Sequence, residues 1–320
     1  MYSCKVCKNF YKNEVIVVKQ TGTQYLDEFE YIHCNKCKSL FIKEVPKNLS
    51  NYYEDYYSLK AFARIKYSNV ALYLKKLFFL RLHSLGKWLY LKTHPLDLLS
   101  LQSILPLHLS PECKILDVGS GTGKFIYDLH NLGYKHAVGI DPFITRNLKY
   151  DNGAEVYKIE LKEVSNHYEL ITFHHTFEHL PDLDNCLKSV KKILASNGYC
   201  LIRIPNISSY SSMRFGRYWT GIHAPYHLVL PSYKAMINDI LPRNDLKVHM
   251  VKGEQLYHFF LSNIDNSFNL IADGNKMFRE FAPIHTQIDI RNFKRLAKAI
   301  SPFPNLCEWV NYYVVHKNYG

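Results

Sequence analysis

The stretch that decides the fold of this 320-residue chain is KILDVGSGTG, which runs from Lys114 to Gly123. It combines a short apolar strand, an acidic residue and three glycines at alternate positions, and it leads into the helical stretch FIYDLHNLGY. Glycines let the backbone turn sharply and approach a ligand closely, because no Cβ stands in the way. The helix that follows directs free N–H groups and its positive dipole end toward the same point, which favours an anionic group. A dinucleotide-binding loop would read GxGxxG, whereas the third glycine here comes one residue early.

Further segments extend this pattern of alternating strands and helices. Ala137–Pro142 is a second apolar strand that ends in a carboxylate, where a doubly wound sheet places the acid that binds ribose hydroxyls. Tyr168–His175 predicts a buried parallel strand and continues into the sequence TFEHLPD. A helix from Leu183 to Leu194 and a strand from Tyr199 to Asn206 follow. The order predicts an α/β fold with a Rossmann-like, doubly wound sheet.

These motifs, in this order, resemble the class I S-adenosylmethionine (SAM)-dependent methyltransferases from Lys114 to Asn206. The resemblance implies a seven-stranded sheet whose last strand enters antiparallel, and a SAM site at the carboxyl ends of the strands. It assigns the amino-acid end of SAM to the glycine loop, the ribose to the second strand end and the adenine to the region around residue 160. The cofactor-binding residues that it implies are Asp117, Gly119, Ser120, Gly121, Gly123, Asp141, Pro142, Glu160, His174 and His175.

Composition and charge bound the remaining possibilities. Hydrophobic residues make up 47 % of the chain, which provides for a sizeable core. The net charge is +12, and residues 60–92 hold eight cations and no acid. That segment is either a pair of helices with a solvated basic face or a surface for a polyanion, such as a diphosphate-linked sugar, an anionic lipid headgroup or nucleic acid. The N-terminus MYSCKVCKNF has no apolar signal region, so a cytoplasmic location is expected, with peripheral membrane contact through 60–92 as an open alternative.

Four cysteines form two C-x2-C pairs separated by 26 residues. They are Cys4, Cys7, Cys34 and Cys37. Two such knuckles supply four thiolates at the tetrahedral geometry that Zn²⁺ prefers, and the spacer EVIVVKQTGTQYLDEFEYI predicts a hairpin. A four-cysteine site has no open position for water, so the predicted zinc is structural and supplies folding energy to a ribbon too small for its own core. Disulfides are the alternative, but no export signal accompanies them.

The ribbon, a YY-containing segment, a helical connector and a SAM domain, in this order, resemble one bacterial group of methyltransferases. That group modifies sugars, nucleotide sugars or surface polysaccharides. The predicted organisation is a zinc ribbon at 1–45, a basic helical connector or cap at 46–110, a SAM-binding core at 111–253 with a lid at 207–231, and a C-terminal insert with the last strand at 254–320.

General bases are expected at the carboxyl ends of the strands, where α/β sheets bind ligands. A histidine has a suitable pKa to accept a hydroxyl proton near neutral pH. One candidate is His179, next to Glu178 in the loop after the fourth strand, although this pair could instead tie the loop down. His223 and His227 are the others, in the lid segment WTGIHAPYH, which resembles a W…P-x-H segment of these methyltransferases. A hydrogen-bonding cap on the lid is the alternative role for His227.

The predicted function is methyl transfer from SAM to a hydroxyl of a sugar, nucleotide sugar or glycan in surface polysaccharide biosynthesis. Arg214 and Arg217 either clamp a phosphate of such an acceptor or form a solvated face. Methylation at carbon of a deoxysugar nucleotide is the first alternative. The second is a zinc-ribbon protein that binds nucleic acid or methylates RNA. The strand ends carry His-His and Pro-Asn rather than paired acids, so no catalytic metal is expected.

Overall fold

The computed structural model describes residues 2–20, 27–49, 98–255 and 287–319, together with isolated positions between 52 and 73. The chain divides into two compact units. We name them the glycine-loop unit (residues 52–174 and 189–201) and the ribbon unit (residues 1–51, 175–188 and 202–320).

The glycine-loop unit is built on a mostly parallel sheet. Its elements are α1 (Leu98–Ile104), β4 (Ile115–Val118), α2 (Lys124–Leu132), β5 (Ala137–Ile140), β6 (Leu148–Lys149), β7 (Glu155–Tyr157) and β8 (Tyr168–His174). The helix α3 (Leu183–Ile193) and the strand β9 (Leu194–Pro205) follow. Of these two elements, residues 189–201 belong to this unit. The strand order here is β9–β8–β4–β5–β7–β6. Within β4, Asp117 pairs with Gly139 of β5 and with Thr172 of β8, so all three parallel strands end at the same edge.

The glycine loop lies between the strand β4 and the helix α2, and buried apolar side chains hold both elements in place. Ile115 and Leu116 are fully buried, as expected for a parallel strand covered on both faces. The helix starts after Gly123 and ends at Gly133, whose left-handed backbone (φ 106°) lets its N–H reach the carbonyls of the last turn. Its Ile126 and Leu129 are buried, and this fixes the helix N-terminus at the end of β4.

With two further strands, Leu246–Glu254 and Trp309–His316, which lie next to β9 in the strand order, the sheet has eight strands among the described residues, one more than the seven predicted. The additional strand is β6, two residues long, which pairs antiparallel with the outer strand β7. Its sequence, Leu148–Lys149, is too short to carry an alternating pattern that sequence analysis could detect.

The ribbon unit contains a second, antiparallel sheet in the order β1–β2–β3–β10. The strands are β1 (Glu14–Lys19), β2 (Glu28–His33), β3 (Leu40–Ile42) and β10 (Val229–Leu230). The predicted hairpin is therefore present, with Val17 opposite Glu30. Its third strand pairs with the end of the predicted lid, Val229 facing Phe41. The ribbon and the lid segment thus share one sheet.

The remaining elements of the ribbon unit are α4 (Tyr210–Phe215), α5 (Tyr233–Ala235), α6 (Leu241–Arg243), β11 (Leu246–Glu254), α7 (Gln287–Ile300) and β12 (Trp309–His316). The strands β11 and β12 are antiparallel, as predicted for the last strand of the sheet. Ser232 accepts a hydrogen bond from the N–H of Ala235 (3.1 Å) and caps the helix there. A π-helical turn (Met236–Ile240) continues the helix into α6, whose first turn tolerates Pro242 because no N–H is needed there.

Two predicted segments lie largely or wholly outside the described residues. They are the basic stretch 60–92 and most of the insert before α7. Within the described part of the chain, no helix combines the length and apolarity needed to cross a membrane.

Candidate active site

The glycine loop closes the end of β4 through backbone hydrogen bonds. Gly119, Gly121 and Gly123 all have positive φ (71°, 55° and 80°), which explains why glycine is needed at each alternate position. The N–H of Gly119 donates to the Ile140 carbonyl at 2.8 Å, and that of Gly123 to the Ser120 carbonyl at 2.9 Å. The loop therefore lies against the end of β5 and leads directly into α2.

Asp117 is buried beneath this loop. One carboxylate oxygen accepts a hydrogen bond from the Thr172 hydroxyl at 2.6 Å. Burial and, to a smaller extent, the nearby negative charge of Asp141 raise the pKa of Asp117 to about 7, although the Thr172 hydrogen bond opposes the shift. Burial disfavours the ionised form of Asp117, and a cationic group bound beside it would stabilise that form. The site therefore suits the amino group of an amino acid.

Asp141 holds the loop from the end of β5. Its carboxylate accepts the N–H of Gly121 at 2.9 Å and the N–H of Phe143 at 2.8 Å. Burial raises its pKa, while these two bonds oppose the shift. The carboxylate keeps further acceptor positions for hydroxyl groups.

The other predicted cofactor residues are placed less uniformly. Pro142 is exposed beside Asp141, and the ring of His174 contacts Phe125 edge-on with centroids 4.7 Å apart. Glu160 is exposed, pairs with Lys162 at 2.8 Å and begins a short 3₁₀ turn. Sequence analysis missed Phe143, whose ring is 64 % exposed next to Asp141, because a single aromatic residue carries no pattern.

Within the ribbon unit, the three candidate bases are assembled as one histidine cluster. The rings of His179 and His223 contact that of His227, with centroids 4.9 Å and 5.1 Å away. The Nδ1 atom of His227 lies 2.8 Å from the Gly221 carbonyl, which only accepts, so Nδ1 carries the hydrogen and Nε2 presents a lone pair. This Nε2 faces Oε1 of Glu178 at 3.8 Å.

Glu178 sets the electrostatics of this cluster. Its side chain is 0 % exposed, and among the described residues its carboxylate oxygens have no hydrogen-bond partner. Burial raises the pKa of Glu178 to about 8, partly opposed by Arg203. Burial lowers the pKa of His179 to about 3 and that of His223 to about 4. At neutral pH the imidazoles are therefore neutral, each with a nitrogen lone pair, and the Glu178 carboxyl holds a proton.

A comparison with sequence families matches residues 58–249 to the family described as a methyltransferase domain. The chain belongs to this family. It is a SAM-dependent methyltransferase, and this confirms the class of enzyme that the glycine loop predicts. The sheet order around β4 and the loop geometry agree with that assignment.

Solved structures similar to this methyltransferase share little sequence with it. A mycolic acid cyclopropane synthase in complex with SAH and CTAB is 15 % identical, with 67 % of this chain and 82 % of that chain covered and a TM-score of 0.42. Coclaurine N-methyltransferase bound to N-methylheliamine and SAH is 12 % identical, with 68 % and 72 % covered and a TM-score of 0.41. A possible histamine N-methyltransferase from Thermotoga maritima is 18 % identical, with 55 % and 83 % covered and a TM-score of 0.38. These likenesses carry no argument about the acceptor, and no curated protein matches the sequence significantly.

The geometry of the glycine loop is compatible with SAM binding. The Ser120 hydroxyl is buried and, among the described residues, has no hydrogen-bond partner, so a donor or acceptor from a ligand would complete it. A Cβ on Gly139 would lie 2.4 Å from that hydroxyl oxygen, and glycine there leaves the room that the serine needs. The glycine-loop unit thus provides carboxylates, backbone N–H groups and an unused hydroxyl around one loop.

His175, predicted to line the cofactor, takes part in a different network. Its Nε2 accepts a hydrogen bond from Arg203, and its ring contacts Trp309 with centroids 4.5 Å apart. Its Nδ1 lies 3.5 Å from Glu178. Arg203 also forms a bidentate ion pair with Glu254 (2.8–3.2 Å). Sequence analysis missed Arg203 and Glu254, because residues 51 positions apart meet only through strand pairing.

The four ribbon cysteines converge, as their spacing predicts. The Sγ atoms of Cys4 and Cys37 are 3.7 Å apart, and those of Cys7 and Cys34 are 3.6 Å apart. Thiolates around a tetrahedral zinc ion lie roughly 3.8 Å apart, whereas a disulfide joins sulfurs at about 2.0 Å. All four cysteines are free, so the group has the spacing of metal ligands.

A second group of possible metal ligands lies in the histidine cluster. Ligand atoms of Glu178, His179 and His227 lie within 4.8 Å of one another. The ring of His179, however, is hydrogen-bonded to the backbone of Tyr226 and His175. These bonds engage the imidazole that would have to serve as the third ligand.

Proposed function

We propose that this SAM-dependent methyltransferase methylates a hydroxyl group of a sugar, nucleotide sugar or glycan in surface polysaccharide biosynthesis. The observation that carries the hydroxyl acceptor is the buried Glu178 carboxylate facing a histidine cluster. An alcohol must lose a proton when its oxygen is methylated, and this cluster is built to receive one. The sugar is supported by the motif order described under Sequence analysis.

In this proposal, the acceptor hydroxyl gives its proton to the histidine cluster. His223 and His179 are half-buried, whereas His227 is buried, so the first two are the imidazoles that an acceptor could reach. The positive charge of the resulting imidazolium favours ionisation of the nearby Glu178 carboxyl, which faces His227, whose tautomer is fixed by the Gly221 carbonyl. In this proposal, the half-buried imidazoles accept the proton. His227 and Glu178 hold these imidazoles in place and stabilise their positive charge.

On the cofactor side, SAM supplies, when bound, a methyl group on a positively charged sulfur that is already activated for transfer. Asp117 would hold its amino group, and Asp141 would accept bonds from the ribose hydroxyls. Phe143 and Glu160 would flank the adenine, and His174 would line the site. Binding and orientation are the chain's contribution to this half of the reaction.

We also propose that the four ribbon cysteines bind one structural zinc ion. Their sulfur spacing supports it, as do backbone N–H groups of Val6 and Cys7 that donate to Cys4 Sγ at 3.4 Å. The ion would hold the ribbon's sheet, and through it the lid end, since the Tyr31 hydroxyl donates to the His227 carbonyl at 2.9 Å. Zinc would thus help to keep the histidine cluster in place and would take no direct part in the reaction.

The experiment that tests the proposed function is methyl transfer from isotope-labelled SAM to a panel of nucleotide sugars and polysaccharide fragments. We expect label in a base-stable methyl ether, and a loss of at least about a hundredfold in kcat in His223→Gln, because general-base catalysis contributes about this much. SAH binding, measured by calorimetry, should be unchanged in this variant.

Other outcomes would replace the proposal. Label on a carbon beside a keto group would make the protein a C-methyltransferase of a deoxysugar nucleotide. Label recovered only in RNA would make it a nucleic-acid methyltransferase. SAH binding with no label in any of these acceptors would show that the acceptor class is wrong.

A further inference from the structure

A cavity of about 1210 Å³ lies entirely within the ribbon unit, beside the zinc knuckles. Its charged lining residues are Lys8, Lys36, Lys38, Lys234, Arg243, Asp184 and Asp239. The cations come from three separate segments, namely the first knuckle, the second knuckle and the helical stretch from residue 233 to 243. Cations that meet in one cavity from distant parts of the chain favour the binding of an anionic ligand.

The cavity carries an excess of positive charge. Five cations face two carboxylates, and one carboxylate, Asp184, is already paired with Arg243 through two bonds of 2.7 Å and 2.9 Å. The four lysines are exposed, and in the described part of the chain none of them forms an ion pair. An excess of three charges matches a ligand with two or three negative charges.

Two of these lysines occupy strained backbone positions. Lys8 and Lys38 follow the second cysteine of each knuckle and have φ of 60° and 59°. Glycine adopts this conformation freely, whereas the Cβ of any other residue makes it unfavourable. The chain places a cation at both equivalent turns despite this strain, and both turns line the cavity.

These lysines do not contact the thiolates. The Lys8 ammonium donates to the Lys5 carbonyl at 3.2 Å, and the Lys38 ammonium donates to the Asn35 side chain at 3.0 Å. Arg243 donates to the Val6 carbonyl at 2.6 Å and ties the first knuckle to the helical wall. Hydrogen bonds thus hold Lys8, Lys38 and Arg243 to the two knuckles.

The same cavity also offers apolar contact. Tyr233 is half-buried in its lining, and Met213 is 65 % exposed there. An aromatic ring and a flexible thioether accept a planar or apolar group next to a charged one. The volume exceeds what a single phosphate needs and suits a ligand that carries more than its anionic group.

We infer that this cavity binds a diphosphate group, held by the knuckle lysines together with Lys234 and Arg243. The diphosphate is either free pyrophosphate or the diphosphate of an ester with an organic group, which would contact Tyr233. Binding there requires neither SAM nor methyl transfer. Its failure is therefore distinguishable from failure of the proposed function.

The test is calorimetric titration of the zinc-loaded full chain with inorganic pyrophosphate and, separately, with uridine diphosphate at low ionic strength. We expect both to bind at one site, and Lys36→Glu and Lys234→Glu each to raise Kd by about tenfold, since each removes a charge-assisted contact. The matched control is Lys47→Glu, an exposed lysine of the same unit outside the cavity, which should leave Kd unchanged. Tighter binding of uridine diphosphate than of pyrophosphate, lost in Tyr233→Ala, would identify the ester as the source.

Several results would overturn the inference. Absence of binding by either probe would do so directly. An equal loss of affinity in Lys47→Glu would show that the net charge of the protein, and not the cavity, explains the effect. Zinc loss from Lys36→Glu and Lys234→Glu, with unchanged diphosphate affinity, would mean that the lysines serve the thiolates. Single-stranded RNA bound more tightly than either probe, with the same dependence on Lys36 and Lys234, would make the cavity part of a nucleic-acid surface.

Discussion

At the scale of single residues, Asp141 links the shape of the glycine loop to cofactor binding. Its carboxylate accepts the Gly121 and Phe143 N–H groups and retains acceptor positions for the ribose. We expect Asp141→Asn to raise the Kd for SAH by about thirtyfold, because a hydrogen bond to a charged acceptor contributes about 2 kcal/mol. Calorimetry measures this, with the exposed Asp151→Asn as the control. Equal Kd values in both variants would remove Asp141 from the site.

Glu178 makes the stability of the fold depend on pH. Burial raises its pKa from 4.5 to about 8, so the folded state holds this proton more tightly than the unfolded state does. Its contribution to stability is complete below pH 4.5 and is lost as the pH rises through about 8. We expect Glu178→Gln, which cannot ionise, to unfold at similar urea concentrations to the wild type at pH 5. At pH 8.5 it should be more stable, by on the order of 3 kcal/mol. A difference that does not change with pH would contradict the buried-carboxyl assignment.

At the scale of elements, the turn between β4 and α2 depends on close packing as well as on backbone conformation. A Cβ on Gly123 would lie 2.4 Å from Val156 Cγ2, whereas a Cβ on Gly133, which also has positive φ, would have nothing within 4 Å. Gly133→Ala should therefore cost about 1 kcal/mol of unfolding free energy, and Gly123→Ala about 3 kcal/mol. Urea unfolding compares the two. Val156→Ala should recover part of the loss in Gly123→Ala only, and equal losses in the two single variants would show that packing is unimportant there.

At the scale of the whole molecule, the ribbon is expected to act on methyl transfer and not on cofactor binding. Removal of the proposed zinc ion should unfold the sheet that pairs β3 with β10 and free the His227 backbone, because metal binding supplies the folding energy of small ribbons. We expect chelation, or Cys37→Ser, to lower kcat by at least about tenfold and to leave the Kd for SAH unchanged. Cys186→Ser, at a buried cysteine outside the ribbon, is the control. Loss of SAH binding together with activity would mean that the two units do not unfold separately.

Those parts of the protein that depend on neighbouring residues could be predicted from the sequence. Alternate glycines after an apolar strand define the loop at residues 119–123, since few residues tolerate its backbone, and the paired C-x2-C motifs define the sulfur cluster. Contacts between distant groups became visible in the folded chain. Glu178 faces His227 across 49 positions, and Tyr31 reaches the same histidine from a separate hairpin. Such contacts follow from strand pairing and burial over long separations, and these leave no periodic signal in the chain. The same reason places Lys36 and Lys234 in one cavity, although nothing in their local sequence relates them.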